Sequence, residues 1–404
     1  MTKRIIAVFT GNRAEYGLQL PILRAIQNHP DLDYRLIVSG AHLDKNFGKT
    51  LAEIEKDGFE VHAEVTLDME DSSVASTAAA IGQCVIKMTE ILVDLKPDIH
   101  VVYADRFEGF GAVIASTQLN IPTAHIEGGD ITEGGALDDS VRHAMSKISH
   151  MHFTTNQEAS NRLMAMGEEH WRVKTVGFPA MDVVQEDNYA TPGEISSQLG
   201  LDLEQPIILF TQLSVTTEFS KSGEQVKPSL EALKLLADSG VQVILTYPNN
   251  DAGSDLVINQ LEVCRDYGNM QLHKSLGRYL YHGVLALAYD SNARVACVGN
   301  SSSGLKETPA FLCPTVNIGS RQDGRLRGEN VITTGYDAAE IKQAISTCLY
   351  DDSFRHLCRN SSNPYGIGDA GIKIAKVLSD MPLGAEMLRK KMTIKGEIEN
   401  GWYR

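Results

Sequence analysis

No apolar run in this sequence is long enough to span a bilayer, so no membrane partner is expected. No low-complexity tract interrupts it, and no internal repeat is visible beyond the alternation of elements described below. The six cysteines (Cys84, Cys264, Cys297, Cys313, Cys348, Cys358) are scattered, and no two fall at a CxxC spacing. Neither a zinc site nor a redox pair is therefore expected, and no metal is assigned. Positive charge is in short supply. The formal net charge of −15 argues against a nucleic-acid partner. It leaves room for an anionic small molecule, because a local cluster of arginines and backbone N–H groups can reverse the field at one place. The N-terminal apolar run, residues 5–9, is too short for a signal peptide and has no small-residue cleavage site. A cytoplasmic location is expected.

What is present is a regular alternation. A chain of 404 residues is long for one core, which predicts two domains. Short β-branched or apolar runs at 5–9, 35–38, 99–103 and 123–126 are each followed by helical periodicity, as at 18–28, 44–56 and 107–119. An Ala-rich stretch at 72–95 predicts a long buried helix. Apolar runs at this spacing mark βαβ units and a parallel sheet. Turn and linker residues cluster between 177 and 200, and a second series begins at 206, with further strands at 241–246, 295–298 and 315–318. The fold class is therefore α/β, with two doubly wound, Rossmann-like domains. The expected boundaries are 1–180, a hinge at 181–200, and 201–369. Residues 370–381 are expected to form a helix packing back across the hinge, and the charged tail 382–404 is a candidate oligomer contact. Ligands of such domains bind at the carboxyl ends of the strands, and a substrate is expected in the cleft between the two.

The strand ends carry the candidate chemistry. The stretch GNSSSGLKE at 299–307 places Ser301, Ser302 and Ser303, with their N–H groups, where a strand turns into a helix. That suits a diphosphate. Glu307, about a turn further on, suits two ribose hydroxyls. An Asn/Ser-capped helix with no ligand accounts for the same residues equally well. After the first strand, GNRAEYG puts Arg13 at a helix start, facing either an anion or a surface ion pair. The glycines there lack the GxGxxG spacing of dinucleotide sites. Asp105 ends a buried strand, so it is paired, working or an N-cap. Glu127, in HIEGGD, leaves the adjacent strand at the same edge, and Asp138, in LDDSVRHA, opens the next helix. Three carboxylates sharing one site are expected to raise at least one pKa and to provide an acid and a base together. Polar loops at 212–218, 247–253 and 319–325 end strands of the second half. In the last, Arg321 is a phosphate or uracil contact, or else part of a surface salt bridge.

Taken together, GNRAEY, the Asp105–Arg106 pair, HIEGGD, LDDSVRHA, SVTTE, PNNDAGS, GNSSSG with its following Glu, and IGSRQDGR resemble the UDP-N-acetylglucosamine 2-epimerases. The hydrolysing branch, which supplies sialic-acid-type pathways, is the nearest match. The motifs occur in the family's order from about residue 4 to about residue 375. The resemblance implies the glycosyltransferase-B fold, two Rossmann-like domains around a central cleft, with no cofactor. It implies that a UDP-2-acetamido sugar loses its C2 proton and its UDP to give a glycal. Water then adds at C1 and a proton returns to C2 on the opposite face. For UDP-N-acetylglucosamine the products are N-acetylmannosamine and UDP. The implied acid/base residues are Asp105, Glu127 and Asp138, with His143 beside them. The implied UDP contacts are Arg13, Arg106, Asn249, Ser301, Ser302, Ser303, Glu307 and Arg321. A homodimer or higher homo-oligomer is implied as well.

Two departures bear on substrate and activity. The family's histidine before the VTT segment is Leu213 here, leaving Gln212, His125 or His143 to supply its contact. The segment 131–137 is about two residues longer than in sialic-acid-pathway members. It resembles relatives acting on UDP-2,4-diacetamido-2,4,6-trideoxyglucose in the legionaminic-acid route. Three further readings stand beside the hydrolysing epimerase. They are a non-hydrolysing epimerase that re-adds UDP, a glycosyltransferase of the same fold, and a non-catalytic nucleotide-sugar-binding paralogue.

Overall fold

The computed structural model describes residues 3–43, 51–69, 74–131, 137–186, 188–248, 253–265, 267–366, 368–393, 398–399 and 402–403. The chain divides into two compact units, one from residues 1–131, 137–183 and 365–404, the other centred on 184–364. The segment 184–200 therefore belongs to the second unit. It includes a helix, Pro192–Leu199, started by a capping box in which Thr191 and Glu194 bond each other's backbone N–H.

The first unit holds a seven-stranded parallel sheet of β1 (Arg4–Thr10), β2 (Leu32–Ser39), β3 (Val61–Val65), β4 (Ile99–Tyr103), β5 (Thr123–Ile126), β6 (Met151–Thr154) and β7 (Val173–Thr175). Their order is β3-β2-β1-β4-β5-β6-β7. The central strands are buried throughout because helices cover both faces. The second unit repeats the plan with β8 (Ile207–Thr211), β9 (Gln242–Thr246), β10 (Met270–His273), β11 (Val295–Gly299), β12 (Thr315–Ile318) and β13 (Val331–Thr334). Its order is β10-β9-β8-β11-β12-β13. In each sheet the order reverses beside the first strand, between β1 and β4 and between β8 and β11. Loops leaving the carboxyl ends there splay apart and leave room for a ligand.

The helix Ala370–Asp380 lies in the first unit. Its first N–H groups, from Ala370 and Gly371, donate to the Asp182 carboxylate at 2.9 and 2.7 Å. Ile374 and Leu378 join Ile22 and Ile26 of the helix Arg13–Asn28 in one core. The tail beyond it also docks on this unit. Arg172, 1% exposed, donates to the carbonyls of Glu386, Met387 and Arg389, and Met387 is fully buried. The tail stays fastened to this unit as far as Thr393, whose N–H donates to the Gly167 carbonyl, while Leu383 and Met392 are exposed. Among the described residues no helix is long and apolar enough to cross a membrane.

Candidate active site

In the first unit the site is built by the turns after β4 and β5. These strands are neighbours, with Tyr103 opposite Ile126. Ala104 N–H donates to Ile126 O at 3.0 Å, so the two turns leave the sheet side by side. Both place a non-glycine residue in the left-handed region, Ala104 at φ 54° and Glu127 at φ 61°. Such conformations cost roughly 1–2 kcal/mol each and persist only where the surroundings enforce them.

The enforcement is visible. His125 bonds the Ala104 carbonyl through Nε2 at 2.6 Å and the Ser146 hydroxyl through Nδ1 at 3.0 Å. A carbonyl only accepts, so Nε2 carries the proton and Ser146 donates to Nδ1. Burial pushes the His125 pKa down to about 3, keeping the ring neutral in this role. After Glu127, Gly129 at φ 80° lies where a Cβ would meet Ala159 O at 2.4 Å. Asp130 anchors the turn by accepting from Thr155 Oγ1 at 2.9 Å and Asn156 Nδ2 at 3.1 Å.

Asp105 does not cap the following helix, whose N-cap is Arg106 with no side-chain cap bond. It pairs instead with Arg142, a buried residue of the helix Leu137–Ile148. Arg142 also holds Asp139 at 3.3 Å. Asp138, expected to join the acid set, is exposed in the first turn of that helix, and it is Asp139 that turns inward. Asp138 acts electrostatically on Arg106. Arg106 is half-exposed and forks onto the buried Glu108 at 3.2 and 3.3 Å. His143 is half-buried, and burial lowers its pKa.

Glu108, Asp139 and Glu15 are buried carboxyls of this edge that escaped the sequence reading. Glu15 is 4% exposed and accepts the Gly11 N–H at 2.5 Å, and burial raises its pKa to about 8. Its signal was only the acid in the first turn of the helix beginning at Arg13, which the Asn12 side chain caps. The Arg13 side chain, Asn249 and the long segment 132–136 lie outside the described residues.

In the second unit β11 ends at Gly299, with φ 131°, where a Cβ would lie 1.9 Å from Thr211 O. Only glycine lets the chain pass that close to β8. Asn300 then clamps the loop after β8. Its Oδ1 accepts from Leu213 N at 2.6 Å and its Nδ2 donates to Leu213 O at 2.9 Å. The helix that follows, Ser303–Lys306, has four residues and no side-chain cap bond, so neither a capped helix nor a strong dipole describes this turn. What this turn offers a ligand is its own backbone N–H groups. The Ser301 and Ser302 N–H groups donate to no acceptor among the described residues, and Arg321 bonds the Asn300 carbonyl at 3.3 Å. Ser303 donates to Glu307 Oε2 at 3.0 Å, and His282 Nε2 lies 3.0 Å from the same oxygen. Burial works to raise the Glu307 pKa, but His282 and Ser303 outweigh it and the net shift is downward. His282 was not anticipated, since it stands 25 residues before its partner.

Gln212, His125 and His143 are the residues expected to stand in for the histidine absent at Leu213. Gln212 is 2% exposed, and its amide is used by Ser229 Oγ and the Gln225 carbonyl. His125 is occupied as described. Of the three candidates only His143 is uncommitted to an internal bond, its Nδ1 having no partner among the described residues. No group of three His, Cys, Asp or Glu placed to hold a metal occurs among the described residues.

Two parallel α/β sheets with these strand-end loops define a protein of the glycosyltransferase-B class. Comparisons with known proteins agree. The family model for UDP-N-acetylglucosamine 2-epimerase matches residues 24–379. A UDP-N,N'-diacetylbacillosamine 2-epimerase (hydrolyzing) of Legionella pneumophila is 32% identical over 390 residues, covering 96% of this chain and 99% of the relative. A UDP-N-acetylglucosamine 2-epimerase of Neisseria meningitidis serogroup B is 32% identical, covering 85% and 86%. Among solved structures, a Neisseria meningitidis UDP-GlcNAc 2-epimerase bound to UDP-GlcNAc superposes with TM-score 0.73 at 17% identity, covering 93% of this chain and 99% of that one. The chain belongs to the UDP-N-acetylglucosamine 2-epimerase family. It is an enzyme of that family, and its relatives at about one-third identity include hydrolysing members.

Proposed function

We propose that this enzyme hydrolyses a UDP-2-acetamido sugar with inversion at C2, releasing UDP and the free 2-epimer. The observation that carries the reading is the pair of turns presenting Asp105 and Glu127 from adjacent strands, with Ala104 and Glu127 held in the left-handed region. One carboxylate takes the C2 proton while the C1–O bond to UDP breaks, and the electron pair of the C–H bond becomes the C1–C2 double bond of a glycal. Water then adds at C1, and a protonated carboxyl delivers a proton to the opposite face of C2. The sum is UDP-sugar plus water to UDP plus epimer. Arg142 holds Asp105 in place and stabilises its negative charge. The charge that develops on UDP is met in the second unit by the Ser301 and Ser302 N–H groups and Arg321. Glu307, held by His282 and Ser303, serves the ribose hydroxyls.

For the sugar itself, the Legionella pneumophila relative, aligned over 99% of its length, favours UDP-N,N'-diacetylbacillosamine. The Neisseria meningitidis relative supports UDP-N-acetylglucosamine as the second reading. Parallel kcat/KM measurements on both nucleotide sugars decide. We expect the diacetamido sugar to be preferred by at least about tenfold, with free sugar and UDP as products. Release of an epimeric UDP-sugar would assign the non-hydrolysing reaction. Sugar transfer to an acceptor would assign a glycosyltransferase.

A further inference from the structure

The buried lysine of the C-terminal tail has no part in the chemistry above. We propose that Lys390 is a positioning residue for the acid/base set, acting through the helix Leu137–Ile148. Its ammonium donates to the carbonyls of Ser146, Lys147 and Ser149 at 3.1, 2.7 and 2.6 Å. These lie at the helix's C-terminal end, where carbonyls have no partner within the helix and the dipole is negative. A single buried cation collecting three of them is a cap supplied by a segment more than 240 residues away in sequence. Lys390 is held in turn by Glu168, itself fully buried, at 2.7 Å. Glu168 also takes Lys147 Nζ and His152 Nε2, both at 2.9 Å. The neighbouring tail is fastened along the same edge, with Lys391 N–H on Glu169 and Thr393 N–H on the Gly167 carbonyl.

The capped helix is the one that carries the site. One turn before Ser146 stands Arg142, which pairs with Asp105, and beside it His143. Ser146 is gripped at both ends. Its carbonyl receives Lys390, and its hydroxyl bonds His125, which holds the left-handed Ala104 ahead of Asp105. The turn after Glu127 rests on this bond too. A Cβ on Gly128 would come 2.7 Å from Ser146 Oγ and 3.0 Å from His125 Nδ1. A shift of the helix end therefore moves Arg142, the Asp105 turn and the Glu127 turn together. It leaves the Ser301 turn of the other unit alone.

This inference rests on the epimerase reading, and the two fail differently. The full-length chain is tested as wild type, Lys390→Met, Lys390→Arg and Ser146→Ala. Turnover is read as UDP release and C2 deuteration in deuterated water, per molecule of folded protein counted by UDP-binding stoichiometry. Lys390→Met is expected to lower kcat by about tenfold or more, because displacement of reacting groups by a fraction of an ångström suffices for that. UDP affinity should stay within about twofold, and Lys390→Arg should restore most of kcat. Ser146→Ala, which cuts the link to His125 and keeps the cap, should lower kcat with the same signature. Unchanged kcat per folded molecule in Lys390→Met overturns the proposal. If that variant does not fold, unchanged kcat in Ser146→Ala overturns it. Wild type that deuterates neither nucleotide sugar defeats the epimerase reading itself.

Discussion

The two sheet edges solve opposite problems. In the first unit the turns after β4 and β5 force side-chain-bearing residues, Ala104 and Glu127, into left-handed backbone. In the second unit the corresponding strain falls on glycines, Gly299 at φ 131° and Gly319 at φ 73°. On the proposed function the difference follows from the tasks. Proton transfer needs a carboxylate at a fixed place, so the strained residue either carries one, as Glu127 does, or stands directly before one, as Ala104 does before Asp105. A phosphate cradle needs backbone N–H groups laid bare, so the side chain is what must be absent. Strain in the first edge is held by side-chain bonds, chiefly His125 and Asp130. Strain in the second is avoided by composition.

Mutations that remove one edge and spare the other test this contrast. The largest effect is expected from Glu127→Gln, which keeps shape and burial but removes the proton carrier. Turnover should fall by about 10²- to 10⁴-fold with UDP affinity nearly unchanged by calorimetry. Asp105→Asn should behave alike.

Glu15 tests the acidic edge through pH. Its native pKa of about 8 lies above the ordinary carboxyl value of 4.5, because burial disfavours the ionised form. Between those values the native state binds more protons than the unfolded chain, so stability is full below about pH 4.5 and falls as pH rises to about 8. The loss is at most roughly 5 kcal/mol. Glu15→Gln imitates the protonated form and should flatten this part of the urea-unfolding profile. An unchanged slope would remove Glu15 from the account.

Gly299→Ala breaks the other edge. The clash with Thr211 O should cost about 3 kcal/mol or more and abolish UDP binding, read by thermal unfolding and calorimetry. Arg321→Ala or Glu307→Ala is milder, weakening UDP by about 10- to 100-fold, as for loss of a charged hydrogen bond. The smallest effect sharpens the comparison most. Ala104→Gly relieves the left-handed strain and should raise stability by up to about 1 kcal/mol, while kcat falls because the turn is freer. If kcat rises with stability, the strain has no role in presenting Asp105.

Much of this was legible in the chain. The buried strands β4, β5 and β12 stand where their residues predict, and Asp105 and Glu127 leave neighbouring strands at one edge. The strands that escaped notice were β3, β6, β7, β10 and β13. Each is short, polar or partly exposed, as in VHAEV of β3 and the three residues of β7. Pairing with an existing sheet, more than local propensity, makes them strands. Long-range partners were out of reach for the same reason. Arg142 meets Asp105 across 37 residues, and Lys390 meets the helix end across more than 240. The turn at Ser301 was legible as an anion site, but its short helix was not. The chain turns away after Lys306, and the Thr308 hydroxyl bonds Gly304 O at 2.6 Å.

The central claim is that carboxylates of the first unit remove and return the C2 proton while UDP departs. Its most direct measurement is the isotope content of the sugar released from UDP-N,N'-diacetylbacillosamine and from UDP-N-acetylglucosamine in deuterated water. One deuterium at C2 of an inverted free sugar, absent with Glu127→Gln, is the predicted result. Free sugar that keeps its C2 hydrogen, with the configuration unchanged, would contradict the account.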